Sequence, residues 1–250
     1  MSAPIPLDRL VHALKVRPRE CITLTGGGGK TTTLFTLAHG LRGRVIATTT
    51  TKMGARQTGG LTPLTTPNRS DLSAALTSGP ALVNAGIRGT KALGVEPSAC
   101  DDWFDDADLC EYVVIEADGA RTRPFKAPAP HEPVIPSRTT LAISVIGADA
   151  LGRVIADQCQ RPMRVAALAE CSPYERLSPE RAARVMRHER GGAKGVPPEA
   201  RRVVMVTKVP MPDDDPLTAQ LVDDFVANLI PHLEVIAVER TAHGYRAAPW

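Results

Sequence analysis

The sequence is poor in aromatic residues, has no closely spaced cysteine pair and has no apolar run long enough to span a membrane. Phenylalanine, tryptophan and tyrosine make up 4% of the 250 residues. The five cysteines are odd in number and include no Cys-x-x-Cys pair, which argues against a zinc site or a disulfide framework. We therefore expect free thiols in a reducing, cytoplasmic compartment, with no membrane partner.

Charge is also nearly balanced along the chain. The formal net charge is +3, and no block of six like charges forms a tail. This excess is too small to predict a nucleic-acid-binding protein. The length fits one domain over residues 1–250, and the alternating residues 1–16 predict a leading amphipathic helix rather than a signal peptide.

The most informative segment is a run of four glycines followed by Lys-Thr-Thr. The glycines are Gly26, Gly27, Gly28 and Gly29. Four glycines allow backbone N–H groups to turn toward one anion, and Lys30 adds a positive charge for terminal phosphates. The Thr31 hydroxyl is a ligand for Mg²⁺, and Thr32 continues the same N-terminal turn. The segment predicts a phosphate-binding loop for a nucleoside triphosphate.

The residues on either side of this loop support the prediction. Apolar residues at 21–24 indicate a buried strand, and the spacing of Leu34, Leu37, Ala38 and Leu41 indicates a helix over 31–41. A helix N-terminus facing a glycine loop favours negative charge. Leu24 stands where the common loop pattern has its first glycine, so the match is incomplete.

A second motif lies at 112–120, where an apolar run ends in Glu116, Ala117, Asp118 and Gly119. A carboxylate at a strand end can hold Mg²⁺ beside a phosphate loop. Alternation along an extended strand places Glu116 and Asp118 on the same side. One is expected to hold the metal and the other to orient an attacking group, and the sequence leaves open which does which.

Further contacts to the nucleotide are predicted at three other places. Thr50 and Lys52 follow the apolar run 44–47, where a threonine-rich turn is the alternative reading, and Arg121 follows the acidic motif. Lys208 lies where many GTPases carry Asn-Lys-x-Asp, and it is expected to cover a base or ribose. Pro210 replaces the carboxylate that recognises guanine in that pattern, so the sequence does not decide whether the nucleotide is ATP or GTP.

Residues 121–136 are dense in proline and contain Arg121, Arg123 and Lys126. Prolines at this density exclude a helix interior or a central strand. The segment is therefore expected to be a long, stiff, functional loop beside the site. Residues 54–80, rich in Gly, Thr, Pro and Ser, are expected to form a mobile loop with at most a short helix.

The remaining pattern predicts the fold class. Buried strands are expected at 81–86, 141–147, 202–207 and 233–238, with a hairpin near 93–95 and helices near 162–170, 178–190 and 216–230. The acidic segment 101–108 is expected to be a solvated helix or turn. Alternation of strands and helices with continuous β-branched runs predicts an α/β fold with a mainly parallel sheet and helices on both faces.

Taken together, these motifs resemble one family. Residues 26–32, 48–52, 116–120, 126–136, Arg161-Pro162 and 192–197 are similar to the YqeC family. The resemblance implies a P-loop NTPase-like fold and a cytoplasmic accessory role. That family is named for selenium-cofactor biosynthesis, and its predicted partners are a molybdenum hydroxylase client or a cofactor precursor.

The motifs and the family resemblance are compatible with three functions. The leading hypothesis is a Mg²⁺-dependent NTPase, a phosphoanhydride hydrolase that assists maturation of a selenium-dependent molybdenum hydroxylase. The second is a kinase or nucleotidyltransferase acting on a small cofactor precursor, because phosphoryl transfer uses the same lysine and metal whatever the acceptor. The third is a nucleotide-gated binding protein or chaperone for a client enzyme.

Overall fold

The computed structural model describes residues 7–241 and 244–250. The helices are α1 Leu7–Ala13, α2 Lys30–Gly40, α3 Arg69–Ser78, α4 Pro97–Asp105, α5 Ile155–Gln158, α6 Pro162–Ala169, α7 Pro179–Arg187 and α8 Pro216–Ala227, with a 3₁₀ turn at Ala148–Ala150. The strands are β1 Glu20–Gly26, β2 Val45–Thr49, β3 Lys52–Gly54, β4 Pro63–Thr65, β5 Ala81–Asn84, β6 Gly86–Arg88, β7 Lys91–Leu93, β8 Tyr112–Glu116, β9 Phe125–Lys126, β10 Leu141–Gly147, β11 Cys159–Gln160, β12 Arg201–Val209, β13 Glu234–Thr241 and β14 Gly244–Pro249.

A nine-stranded sheet organises the chain in the order β14-β13-β12-β10-β1-β8-β2-β5-β4. Every neighbouring pair is parallel except β13 and β14. The central strand β1 pairs with β8 on one side and β10 on the other, so Leu24 lies opposite Glu116 and Gly26 lies opposite Val145. The carboxyl ends of these three strands therefore meet at one edge of the sheet.

Helices cover both faces of this sheet, as the sequence pattern predicts. On one face, Ile22 and Ile143 of the sheet pack into a core with α1 and α2. On the other face, Val113 packs with α3 and α4, and Val204 packs with α5 to α8. Neighbouring residues of one strand enter different cores because side chains alternate across a sheet. The protein is thus an α/β fold with a mainly parallel sheet.

Several predictions of local structure need correction. The segment 54–80 contains β4, which the prediction lacks, as well as the short helix that it allows, α3, whose N-cap Asn68 accepts a hydrogen bond from the Asp71 N–H at 2.9 Å. The strand at 233–238 is not the last, because β14 pairs antiparallel with it. The hairpin near 93–95 is formed by β6 and β7, which build a separate three-stranded sheet with β3.

The predicted leading helix is described from Leu7 to Ala13, and the first six residues of that prediction lie outside the described residues. The acidic segment belongs mostly to α4. Among the described helices, none combines the length and apolarity that crossing a membrane requires.

A core substitution tests the packing of α8. Phe225 is fully buried between α8 and the sheet, whereas Leu217 of the same helix is 71% exposed. We expect Phe225→Ala to lower the free energy of unfolding by about 3–5 kcal/mol, because it removes a buried ring and leaves a cavity. Leu217→Ala should change it by less than about 0.5 kcal/mol. Urea unfolding measures both, and equal effects would contradict this packing.

Candidate functional site

The glycine run connects β1 to α2 in a conformation that requires glycine. Gly26, Gly28 and Gly29 have φ values of +91°, +85° and +139°, which side chains of L residues rarely adopt. A Cβ atom at Gly28 would lie 2.4 Å from the backbone nitrogen of Gly147, and one at Gly27 would lie 2.4 Å from the carbonyl oxygen of Arg123. The loop is therefore enclosed by two neighbouring backbone segments.

Several backbone N–H groups of this loop are unsatisfied. The Gly27 N–H donates to the Val145 carbonyl at 2.8 Å, and the first helical bond runs from the Thr33 N–H to the Gly29 carbonyl at 2.9 Å. Between them, within the described part of the chain, the N–H groups of residues 28–32 have no acceptor. Five consecutive unpaired N–H groups at a helix N-terminus form a site for an anion.

Lys30 and two acidic side chains lie at the base of this loop. Lys30 is 4% exposed, and its Nζ donates to the Gly26 carbonyl at 2.6 Å. The same nitrogen lies 3.1 Å from Asp118 Oδ1 and 3.9 Å from Glu116 Oε1. The two motifs that the sequence predicts separately are thus brought together.

Glu116 ends β8 beside the first turn of α2. The Thr31 hydroxyl donates to Glu116 Oε2 at 2.7 Å. Burial raises the pKa of Glu116, and the charge of Lys30 and the hydrogen bond from Thr31 partly oppose that rise. A hydroxyl and a carboxylate oxygen side by side are the donor types that Mg²⁺ binds.

Asp118 is surrounded by positive charge. It is 2% exposed, its Oδ2 accepts the Gly26 N–H at 3.1 Å, and the same oxygen lies 3.0 Å from Lys126 Nζ. With Lys30 on its other oxygen, Asp118 contacts two ammonium groups. The carboxylate thus links the glycine loop to the proline-rich segment.

Charges of alternating sign continue from Asp118 into that segment. Lys126 Nζ lies 2.7 Å from Glu132 Oε2, and Arg161 Nη1 lies 2.8 Å from the same oxygen. Burial acts to raise the pKa of Glu132, but Lys126 and Arg161 together hold it below the ordinary value. We name the series Lys30, Asp118, Lys126, Glu132 and Arg161 the charge chain.

Backbone contacts also hold the proline-rich segment against the site. Lys194 Nζ donates to the carbonyls of Ala129 and Pro130 at 2.6 and 2.7 Å, and to that of Glu132. The Val134 N–H donates to the Ala117 carbonyl at 2.9 Å. The segment is therefore an ordered cover over the end of β8.

Thr207 and Lys208 lie at the end of β12, on the other side of the glycine loop. The Thr207 hydroxyl lies 2.5 Å from the Gly28 carbonyl and 3.0 Å from the Ile146 carbonyl. Lys208 Nζ donates to Asp149 Oδ2 at 2.6 Å, and both side chains are about half exposed. Thr207 supports the loop directly, whereas Lys208 lies beside it.

The other three predicted residues do not contact the glycine loop within the described chain. Thr50 donates from its hydroxyl to the Val134 carbonyl at 2.6 Å. Lys52 is exposed on β3, and Arg121 is exposed just beyond Asp118 with a φ of +48°. Their roles at a nucleotide stay predictions.

Sequence reasoning did not assign the residues that hold this site in place. Lys126 was noted only as a cation of the loop, and Glu132, Lys194 and Thr207 received no role. The spacing of Lys126 and Glu132 within the proline-rich segment gives no indication that either residue is buried. Thr207 had a weak signal, because it occupies the asparagine position of the GTPase pattern.

Comparisons with known proteins give one family, one relative and one similar solved structure. The YqeC protein family model matches residues 22–163, which include the glycine loop, Glu116, Asp118 and the proline-rich segment. In structure, the chain is similar to the crystal structure of hydrogenase maturation factor HypB from Archaeoglobus fulgidus, with a TM-score of 0.40, 12% sequence identity, and coverage of 95% of this chain and 90% of that chain.

One relative, named uncharacterized protein YqeC, comes from Escherichia coli (strain K12). It is 32% identical over 215 residues, which cover 83% of this chain and 84% of that protein. Because the family model spans more than half of the chain and this relative spans most of it, the chain belongs to the YqeC family.

Proposed function

We propose that this protein binds a nucleoside triphosphate with Mg²⁺ and hydrolyses it to the diphosphate and phosphate. The observation that carries the proposal is the hydrogen bond of 2.7 Å between Thr31 and Glu116, directly beside Lys30 and the unpaired N–H groups of the loop. An anion site, a lysine and a hydroxyl–carboxylate pair are the parts that phosphoryl transfer requires. Here they lie at one edge of a parallel sheet.

The glycine loop would hold the phosphates. The unpaired N–H groups of residues 28–32 point to an anion, and Gly26 and Gly27 keep the backbone close to the neighbouring strand. Lys30 Nζ now contacts the Gly26 carbonyl and Asp118, and a terminal phosphate would replace the carbonyl as its partner. Thr32 supplies the last of these N–H groups.

Thr31 and Glu116 would hold Mg²⁺, directly or through its water. When bound, the metal neutralises charge on the phosphate oxygens and makes the terminal phosphate more reactive. The two oxygen ligands lie 2.7 Å apart and therefore fit a hard cation.

Asp118 has surroundings that differ from those of Glu116. Two lysine ammonium groups and a backbone N–H already surround its carboxylate, which disfavours a divalent cation at the same place. We assign Asp118 as a positioning residue that fixes Lys30 and the start of the loop. The proposal therefore takes Glu116, rather than Asp118, as the metal ligand.

The base is proposed to lie toward Lys208, because Thr207 and Lys208 flank the loop on the side opposite Glu116. The proposal leaves the base open between ATP and GTP. In line with the family resemblance, the maturation of a selenium-dependent molybdenum hydroxylase is the proposed setting, with the segment 121–136 beside the phosphates as a contact for a client or a cofactor precursor.

A nucleotide-gated binding role is the second candidate, and the charge chain favours it. Lys30 is the first residue of the charge chain, and Glu132, which lies in the proline-rich segment, is near its other end. A phosphate that draws Lys30 away from Asp118 would leave Asp118 with Lys126 alone. Hydrolysis would then act as a timer for the conformation of that segment.

Removal of Lys30 tests the phosphate site. We expect Lys30→Ala to weaken binding of ATP and GTP by roughly tenfold to hundredfold, because charged hydrogen bonds contribute about 1.5–3 kcal/mol. Calorimetry with and without Mg²⁺ measures the loss. Lys15→Ala, at the opposite edge of the sheet, is the matched control and should bind normally. Unchanged affinity in a folded Lys30→Ala protein would exclude this loop as the site.

Amide substitutions separate the two carboxylates. Glu116→Gln should remove the Mg²⁺-dependent part of nucleotide binding and leave Mg²⁺-free binding nearly intact. Asp118→Asn should instead lower the free energy of unfolding by about 3–5 kcal/mol, since it removes the nearest carboxylate of buried Lys30 and one of the two carboxylates that contact buried Lys126. Magnesium titration and urea unfolding of both variants give the comparison. The reverse pattern would make Asp118 the metal ligand.

The raised pKa of Glu116 predicts a pH dependence. Mg²⁺ requires the ionised carboxylate, so as pH falls the Mg²⁺-dependent gain in affinity should disappear at a higher pH than an ordinary glutamate would give. Without Mg²⁺, pH acts on folding stability in the opposite direction. Burial favours the protonated form of Glu116, so the contribution of Glu116 to the free energy of unfolding falls as pH rises. The ratio of affinities with and without Mg²⁺, measured across pH, should be flat in Glu116→Gln. A pH-dependent ratio in that variant would assign the titration to another group.

A further inference from the structure

The three-stranded sheet formed by β3, β7 and β6 is separate from the main sheet, and we call it the basic sheet. β3 begins just beyond the end of β2, and β6 begins just beyond the end of β5. The basic sheet therefore stands at the carboxyl ends of the parallel strands, the same edge that holds the glycine loop. The nucleotide function proposed above assigns no role to it as a unit.

The strand register puts the cations of this sheet on one face. Arg88 lies directly opposite Lys91, and Lys52 lies directly opposite Leu93. Directly opposed residues share a face, and residues two apart on a strand share it as well. Lys52, Arg88 and Lys91 therefore point to the same side. The other face carries Met53 and Ala92, which are buried against the protein.

These cations have no acidic partner. The side chains of Lys52, Arg88 and Lys91, and that of Arg56 two residues beyond the end of β3, are exposed, and in the described ranges 7–241 and 244–250 none of these side chains makes a hydrogen bond or ion pair. Asp71 is the only acidic residue between positions 52 and 95, and its carboxylate accepts from Asn68. Like charges directly opposite one another destabilise a sheet. Folding alone gives no reason to keep this arrangement.

We propose that the basic sheet is a docking surface for an acidic segment of a partner polypeptide. Exposed guanidinium and ammonium groups on one flat face complement carboxylates, and arginine can pair with them through two hydrogen bonds. Ile87 of the edge strand β6 is 60% exposed but lies opposite Ala92, so it belongs to the other face and the docking contact rests on charge. This surface operates whether or not the glycine loop hydrolyses a nucleotide.

The absence of aromatic residues favours a polypeptide over a single-stranded nucleic acid. No Phe, Tyr, Trp or His occurs between positions 52 and 95. Proteins that bind single strands without sequence preference stack the bases on aromatic side chains. The cationic face of the basic sheet offers charge without an aromatic surface for stacking, which suits an acidic polypeptide.

Binding of a fluorescent oligoglutamate peptide to the full chain tests the proposal. At low salt, we expect the triple variant Arg56→Glu/Arg88→Glu/Lys91→Glu to bind it at least about tenfold more weakly, because three exposed attractions become repulsions. Lys52 is left intact because it is a predicted phosphate contact. The control Arg42→Glu/Arg187→Glu/Arg190→Glu makes the same change of charge at three exposed arginines elsewhere and should bind like the wild type.

Each contrary result overturns the proposal. Equal losses in the triple variant and its control would mean that net charge, not this surface, drives binding, and no peptide binding by the wild type would exclude the surface. Tighter binding of a single-stranded oligonucleotide of equal charge would make nucleic acid, rather than a polypeptide, the partner of this surface.

Triphosphate affinity should be unchanged in the triple variant, so failure of the docking proposal is distinct from failure of the nucleotide site at Lys30. The neutral set Arg56→Gln/Arg88→Gln/Lys91→Gln repeats the test if charge reversal prevents folding.

The single variant Arg88→Glu separates binding from folding. It replaces a repulsive cross-strand pair with an attractive one, so its urea midpoint should rise while its affinity for the peptide falls. A purely structural role for Arg88 predicts the opposite change in stability. A lower midpoint, or an unchanged affinity, would contradict the docking surface.

Discussion

The carboxylate of Asp118 is the constraint on which the site depends. Removing a carboxylate from water costs several kcal/mol, and the cost is offset only by close, well-placed partners. Here the partners are the Gly26 N–H, Lys30 and Lys126. They come from the end of β1, the start of α2 and the proline-rich segment. One buried charge therefore holds both ends of the glycine loop against the proline-rich segment.

This arrangement also sets the terms on which a phosphate can bind. Lys30 is already held by the Gly26 carbonyl and by Asp118, so an incoming phosphate must compete with internal partners. In return, the phosphate would accept hydrogen bonds from the N–H groups of residues 28–32, which donate to no acceptor within the described chain. A change at Lys30 alters the surroundings of Asp118, and through Lys126 those of Glu132. Coupling of the loop to the segment 121–136 therefore needs no long-range motion.

Local chemistry explains what the sequence could predict. The glycine loop, β1, α2 and the end of β8 each carry their signal within a few residues, and Leu24 breaks the loop pattern because it is a buried residue of β1. Among the partners of Asp118, Gly26 and Lys30 are remote in sequence, and no periodicity marks Lys126 in the nearby proline-rich segment. The strands of the basic sheet are three residues long, too short for alternation to stand out. In 54–80, the composition allows a short helix, which α3 confirms, but it gives no sign of the three-residue strand β4.

Two kinds of positive charge thus meet at one edge of the sheet. Lys30 and Lys126 are buried and matched by carboxylates, so interactions made there are screened little by salt. Arg88 and Lys91 are exposed and lie directly opposite each other on β6 and β7. Salt therefore strongly weakens their attraction for an anionic partner. A ligand at the first must fit a fixed cavity of N–H groups, whereas a partner at the second needs only complementary charge. On the two proposals made above, this edge combines a selective small-molecule site with an adaptable protein contact, and ionic strength would separate the two.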